Sequence, residues 1–223
     1  PLTIIIGTNA SGKSNVLDAL LFLQRVSSGA GIFQSINGDM SLPPLRGGVE
    51  WVCKKPATSF KLEAVFGGRS ANQEYLYEVG VSVSSGKAEL ESEKFVQLKY
   101  GPRGGAPKEK TLFTAQLQGT DHPGISAYFS TGKKGPGRRI DLSRSHTVLA
   151  QSDALNIRKE VQEGIRFVLN TFQKIFVFDP IPSHMRDYAP FSEKLEADGS
   201  NISGVLAALD SDRPRRGNGR ILQ

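Results

Sequence analysis

Gly7-Thr8-Asn9-Ala10-Ser11-Gly12-Lys13-Ser14 spells G-x-x-x-x-G-K-S, a spacing in which each residue type has a role on a phosphate chain. The two glycines let the backbone turn tightly and aim successive amides at an anion without bulky side chains intervening. Lys13 brings a positive charge to the β- and γ-phosphates. The Ser14 hydroxyl is a ligand for magnesium, which bridges the same phosphate oxygens. Gly7 to Ser14, with Asn15 following, is therefore the candidate binding site for ATP and Mg2+, with Ser14 as the metal ligand. The bare pattern also arises in glycine turns beside an exposed lysine, so its neighbours decide between the readings.

Those neighbours are the expected ones. Leu2-Thr3-Ile4-Ile5-Ile6 is a continuous apolar run, rich in β-branched residues, that predicts a central strand buried on both faces of a parallel or mixed sheet. From Ser14 to Val26, Val16, Leu17, Leu20, Leu21 and Leu23 fall at helical spacings, and Ser27-Ser28-Gly29-Ala30-Gly31 ends the helix. Strand, glycine loop and helix follow in the order that phosphate binding needs.

Hydrolysis asks for more than a cradle, because a carboxylate pair must hold the magnesium water shell and place the attacking water. Phe176-Val177-Phe178-Asp179 has the shape of an apolar strand ending in an acid, yet Pro180 stands where a catalytic glutamate would be wanted. Catalytic residues are accordingly left unassigned. No N-K-x-D guanine-reading motif occurs, and the β-rich stretch after the first helix is unlike a compact small-molecule kinase, so adenine is the base reached by elimination.

Further along the chain the period changes. Residues 27 to 48 read as a long loop. Phe60, Leu62, Ala64 and Phe66 then alternate with other residues, as do Tyr75, Tyr77, Val79, Val81 and Val83, and Ser84-Ser85-Gly86-Lys87 suits a hairpin turn. Residues 50 to 118 read as an antiparallel meander, with a short strand at 125 to 130. Ile157, Val161, Ile165, Val168 and Phe172 predict an amphipathic helix over 154 to 172. Strand character returns at 174 to 178. Asp198-Gly199-Ser200-Asn201 offers capping side chains to a helix over 202 to 209. The expected organisation is a phosphate-loop segment at 1–48, a β-lobe at 49–150 and a segment at 151–223 that returns to the core.

A chain of 223 residues with 38% hydrophobic and 22% charged residues can bury a substantial core without staples. One cysteine, Cys53, excludes an internal disulfide framework, and His122, His146 and His184 have no zinc-ligand spacing with it. A cytoplasmic setting is expected. No apolar run reaches the length of a membrane span, which excludes a membrane-embedded class. The chain opens without methionine, directly on an apolar run, so a preceding segment is expected, and the C-terminal end raises the same expectation. The net charge of +6 favours anionic partners. It is concentrated in Lys133-Lys134-Gly135-Pro136-Gly137-Arg138-Arg139 and Arg213-Pro214-Arg215-Arg216-Gly217, which are either solvated loops or contacts to nucleic-acid phosphates.

Ile6 to Asn15, followed by Leu17-Asp18-Ala19-Leu20, resembles the N-terminal half of ABC-type ATPase heads related to the SMC, RecF and OLD-nuclease families. Leu45-Arg46-Gly47-Gly48 and Leu195 with Asp198 to Asn201 further resemble a branch of bacterial AAA-type ATPases, some of them found in antiphage defence systems. The resemblance implies an α/β P-loop NTPase core with an antiparallel β-rich lobe, and two heads that sandwich ATP as a homodimer or head-to-head pair, with an effector subunit as a further partner. It also implies a Q-loop glutamine, for which Gln151, after the strand-like Thr147 to Ala150, is the candidate, the alternative being an ordinary polar residue at a strand-to-helix junction; Arg46 either approaches phosphate or a partner head or belongs to a surface turn before Gly47. The chain departs from the family in the signature loop, for which Leu142-Ser143-Arg144-Ser145 is a poor match, and in the Walker B acid pair and switch histidine. A missing half or another chain is expected to supply them.

Three functions follow as expectations: an ATPase head that drives a DNA-directed or defence assembly, an ATP-organised binding module without hydrolysis, and a small-molecule phosphotransferase.

Overall fold

The computed structural model describes residues 3–8, 10–102, 105–117 and 123–211. The chain divides into two compact units, Pro1–Ile175 and Phe176–Gln223.

The first unit is organised around one six-stranded sheet: β1 (Ser59–Gly67), β2 (Gln73–Ser84), β3 (Lys87–Lys99), β4 (Lys108–Gln116), β5 (Gly124–Phe129) and β6 (Arg138–Ser143). Each strand pairs antiparallel with the next in sequence, in the spatial order β1 to β6. The alternation seen in the sequence is the cause, since side chains on a pleated strand point to opposite faces and only one face needs to be apolar. The β2–β3 turn works as its sequence suggests. Ser85 and Gly86 have φ of 51° and 74°, the left-handed pair that a two-residue hairpin requires to match the twist of its strands.

Across the sheet, Tyr77, Phe95, Phe113 and Phe129 stand directly opposite one another on four successive strands. The phenylalanine rings pack tilted, with centroids 5.8 Å apart for Phe95–Phe113 and 5.5 Å for Phe113–Phe129. The helix α5 (Lys159–Gln173) lies on this row. Val161, Ile165, Val168 and Phe172 are its buried stripe, and a Cβ at Gly164 would stand 3.1 Å from Leu112 and 3.2 Å from Phe95, so glycine there permits the close approach.

The helix α1 (Lys13–Ser27) buries Phe22, Leu23 and Val26 in its second half, while its first turns are more open. Two short helices, α2 (Ile32–Asn37) and α3 (Gly48–Trp51), lie within the stretch expected to be a plain loop. Ile32 and Ile36, one turn apart, are fully buried. A two-residue stripe is too short to register as a period, and tertiary burial stabilises the helix instead. Thr147 to Ala150, read as strand-like, begins α4 (Val148–Gln151), whose first turn is capped by the Thr147 hydroxyl.

Two expected strands are not formed, and the mixed core they implied is corrected with them. Leu2 lies outside the described residues; residues 3–6 join no sheet, and Ile4 and Ile6 are 73% and 89% exposed. Among the described residues every ladder is antiparallel and none includes this segment. A strand is stabilised by its neighbours' backbone groups, so an apolar run without a partner stays out of a sheet whatever its composition. Residues 174–178 likewise form no strand, and Phe176 is 57% exposed.

In the second unit, α6 (Ile202–Ser211) follows a looped segment. The expected caps act on that loop instead. Asn201 donates to the Lys194 and Ser192 oxygens and accepts from the Glu196 amide, while Asp198 accepts from the Ser200 amide. A Cβ at Gly204 would fall 1.9 Å from the Pro190 carbonyl oxygen, so the helix packs directly against that backbone.

Candidate functional site

The phosphate loop is held by its own backbone. The Ser11 amide donates to the Thr8 carbonyl at 3.3 Å, closing the turn. Gly12 has φ of 88°, a left-handed conformation costly for any residue with a Cβ, and it reverses the chain directly into α1. Gly7 contributes differently: a Cβ there would meet the Ser11 hydroxyl at 2.9 Å and push that side chain aside. The two glycines that the motif spacing singled out thus each answer a separate geometric demand.

Lys13 is the first residue of α1, and its ammonium turns back over the loop. It donates to the carbonyls of Gly7 at 2.7 Å and Thr8 at 2.6 Å, with the Ser11 hydroxyl at 3.5 Å. These acceptors are neutral, and among the described residues no carboxylate pairs with this charge. The helix end adds to the same field: no side chain caps its first amides and no acid lies in its first turn. Free amides, the positive end of the helix dipole and an unneutralised ammonium converge on one exposed loop, an arrangement that favours a multiply charged anion. Ser14 and Asn15 are exposed in the first turn, so the Ser14 hydroxyl is open to a cation that accompanies the anion. Thr8, Ala10 and Ser11 are exposed around the turn, and Asn9 lies outside the described residues. The residues present fit a magnesium-nucleotide.

Other sequence candidates fall elsewhere. Arg46 places its guanidinium 3.8 Å from Asp18, beside the second turn of α1. The Gln151 amide is engaged with its own neighbourhood: its nitrogen donates to the Ser143, His146 and Thr147 carbonyls and its oxygen accepts from the Ser143 amide. It clamps the loop before α4, which explains why a glutamine stands there without any ligand. Asp179 is exposed in the second unit, its amide bonded to the Ala197 carbonyl. Among the described residues no group of three or more His, Cys, Asp or Glu side chains is placed to hold a metal.

One buried acid escaped the sequence reading. Glu93 on β3 is 1% exposed, and its carboxylate accepts from the Tyr77 hydroxyl at 3.0 Å and from the amides of Leu149 at 3.1 Å and Val148. Desolvation outweighs these donors and pushes its carboxyl up to about 7. Its place within an otherwise alternating strand gave no signal, because polar residues also occupy every solvent-facing position of β3.

Residues 2–100 match the model of a family described as "AAA domain, putative AbiEii toxin, Type IV TA system". The matched stretch runs from the phosphate loop through α1 to the end of β3, and it bears out the resemblance to AAA-type P-loop ATPases. No curated protein and no solved structure matches the chain. Among the described residues no helix is long and apolar enough to cross a membrane.

Proposed function

We propose that this chain is the nucleotide-binding part of a cytoplasmic ATPase head, which binds ATP with Mg2+ at Gly7 to Asn15 on a P-loop core and pairs with a second head around the nucleotide. Turnover then drives a conformational change in a DNA-directed or antiphage-defence assembly. The observation that carries the nucleotide reading is the Lys13 ammonium, held only by neutral oxygens at the uncapped start of α1. Phosphate oxygens are far stronger acceptors for that ammonium than peptide carbonyls, since a charge-assisted hydrogen bond is roughly twice as strong as a neutral one. The Ser14 hydroxyl would hold a magnesium ion, which would supply charge neutralisation to the phosphate chain. The loop amides orient the phosphate chain, and Gly12 keeps the approach open.

The match of residues 2–100 to an AAA domain supports ATP over other phosphorylated ligands and supports hydrolysis as the eventual chemistry. A second reading, an ATP-organised module without turnover, draws support from Pro180, which follows Asp179 where a catalytic glutamate would be wanted.

Binding of a fluorescent ATP analogue with magnesium, together with steady-state phosphate release, tests both. Lys13→Ala is expected to weaken binding at least tenfold while leaving the far-UV circular dichroism unchanged. Lys13-dependent phosphate release by this chain alone would show that the catalytic acid lies within it and bring Asp179 forward. Binding without release by the chain, then release when a second head or longer chain is added, is the outcome expected of an incomplete head. Equal binding by wild type and Lys13→Ala would overturn the nucleotide assignment.

A further inference from the structure

The antiparallel registers bring three turns to one end of the sheet. Gly67 pairs with Glu74 before the β1–β2 turn, Lys99 with Lys108 before the β3–β4 turn, and Phe129 with Arg138 before the β5–β6 turn. The N-terminal end of α5 lies at the same end of the sheet, because Glu163 pairs with Arg69 at 3.1 Å and Glu160 with Lys110 at 2.5 Å. Arg158 bonds Glu160 at 3.1 Å as well, and its guanidinium lies so close to the Gly132 backbone that a Cβ there would be 2.1 Å away.

The two helix carboxylates at this end are therefore already shared among cations. Glu160 serves Lys110 and Arg158, and Glu163 serves Arg69 and Lys159. Lys99, Lys108, Lys133 and Lys134 remain, all exposed and none with a direct ion pair or hydrogen bond among the described residues, although Lys99 lies within the electrostatic reach of Glu160. Lys99 and Lys108 face each other directly across the ladder. Like charges in that position destabilise a sheet unless an anion bridges them. Lys133 and Lys134 sit two strands away in the β5–β6 turn, about 10 Å at ordinary strand spacing.

We propose that this end of the sheet is a docking surface for the phosphate backbone of a nucleic-acid duplex, with Lys99, Lys108, Lys133 and Lys134 as its contacts. Charge complementarity selects the partner. A duplex is a dense linear array of phosphates matched to lysines spread over neighbouring turns, and cations on glycine-rich turns adapt to a helical backbone without reading bases. Tyr100, in the β3–β4 turn, is tied to Glu74 through its hydroxyl at 2.6 Å, so its ring is held to the sheet and is not offered to bases. Binding is expected to be independent of sequence.

The test is fluorescence anisotropy of the chain with a labelled 20-base-pair DNA duplex and the matching RNA duplex, without nucleotide, so that the outcome is separate from that of the ATP site. Neutralising about four phosphates gives a log–log salt slope near −3.6, an affinity loss on the order of 100-fold between 50 and 200 mM salt. Lys133→Ala with Lys134→Ala is expected to reduce that slope by about 2. Both residues are exposed turn positions, and an unchanged thermal midpoint confirms the fold. Stronger binding of one duplex identifies the source of the backbone. A wild-type slope shallower than about −1 would overturn the proposal, as would equal binding by the double variant, which would place the contact elsewhere, or binding to anionic vesicles in place of either duplex.

Discussion

Phe95 on β3 is fully buried between Tyr75 and Phe113, whereas Ile6, beside the phosphate loop, is 89% exposed, although both lie in segments that read as strand. The difference is one of partners. Each strand of the meander finds its neighbour across a turn, so backbone pairing and the shared apolar face form together from residues close in sequence. Thr3–Ile6 reads as a parallel strand, which needs a crossover to a distant neighbour, and none of the described ladders reaches it. What the loop region has instead is chemistry: Gly7, Gly12 and Lys13 are set by local turns and the start of one helix, and they stay open to solvent. A buried, antiparallel lobe beside an exposed glycine loop places the packed core in one region and the candidate binding residues in the other.

The sharpest way to break this contrast is to truncate both regions. Phe95→Ala is expected to cost about 3–5 kcal/mol in urea unfolding, because it opens a cavity in the aromatic row. Ile6→Ser should cost less than about 0.5 kcal/mol, as an exposed position does. A cost at Ile6 equal to that at Phe95 would mean that the loop segment is packed, and the comparison would fail.

Glu93→Gln sharpens the account of the lobe. It places an amide NH2 against backbone donors and is expected to cost about 1–3 kcal/mol. Because burial holds the Glu93 carboxyl protonated up to about 7, the folded state binds more protons than the unfolded chain from the ordinary carboxylate range up to that value. Stability is therefore full below this window and falls as pH rises through it. Urea midpoints of the wild type should decline from pH 5 to 8, and those of Glu93→Gln should not show this component.

The smallest effect belongs to the second unit. The Asp198 carboxyl is held down to about 2, first by His184 at 2.9 Å and then by the Ser200 amide. Its contribution is present above the ordinary aspartate range and is lost as pH falls toward that value. Hydrogen exchange at the Ser200 amide should accelerate between pH 4 and 2 beyond its intrinsic change, and Asp198→Asn should abolish the difference.

Much of the lobe was legible in advance. Alternation at Phe60 to Phe66 and Tyr75 to Val83, and Ser85-Gly86 between strands, report the pleat and the turn directly, since both are properties of adjacent residues. The candidate site was legible for a similar reason: a glycine whose φ must be positive and a lysine that opens a helix are local facts. The helix at Ile32–Asn37 and the burial of Glu93 were not, because each depends on what another element brings to it. Gln151 shows the converse: of its two readings, a ligand contact and an ordinary polar residue at a junction, the hydrogen bonds fit the second, since its amide is spent on the backbone of its own loop.

The sequence by itself determined the glycine turn and helix start of the candidate phosphate loop, the antiparallel lobe and the amphipathic helix on it, because spacing over a few residues dictates backbone turns and apolar faces. Only the tertiary structure decided that residues 3–6 and 174–178 stay outside a sheet. It also set Lys99 opposite Lys108, because pairing depends on which backbone groups meet across space and one strand's composition does not specify its partner.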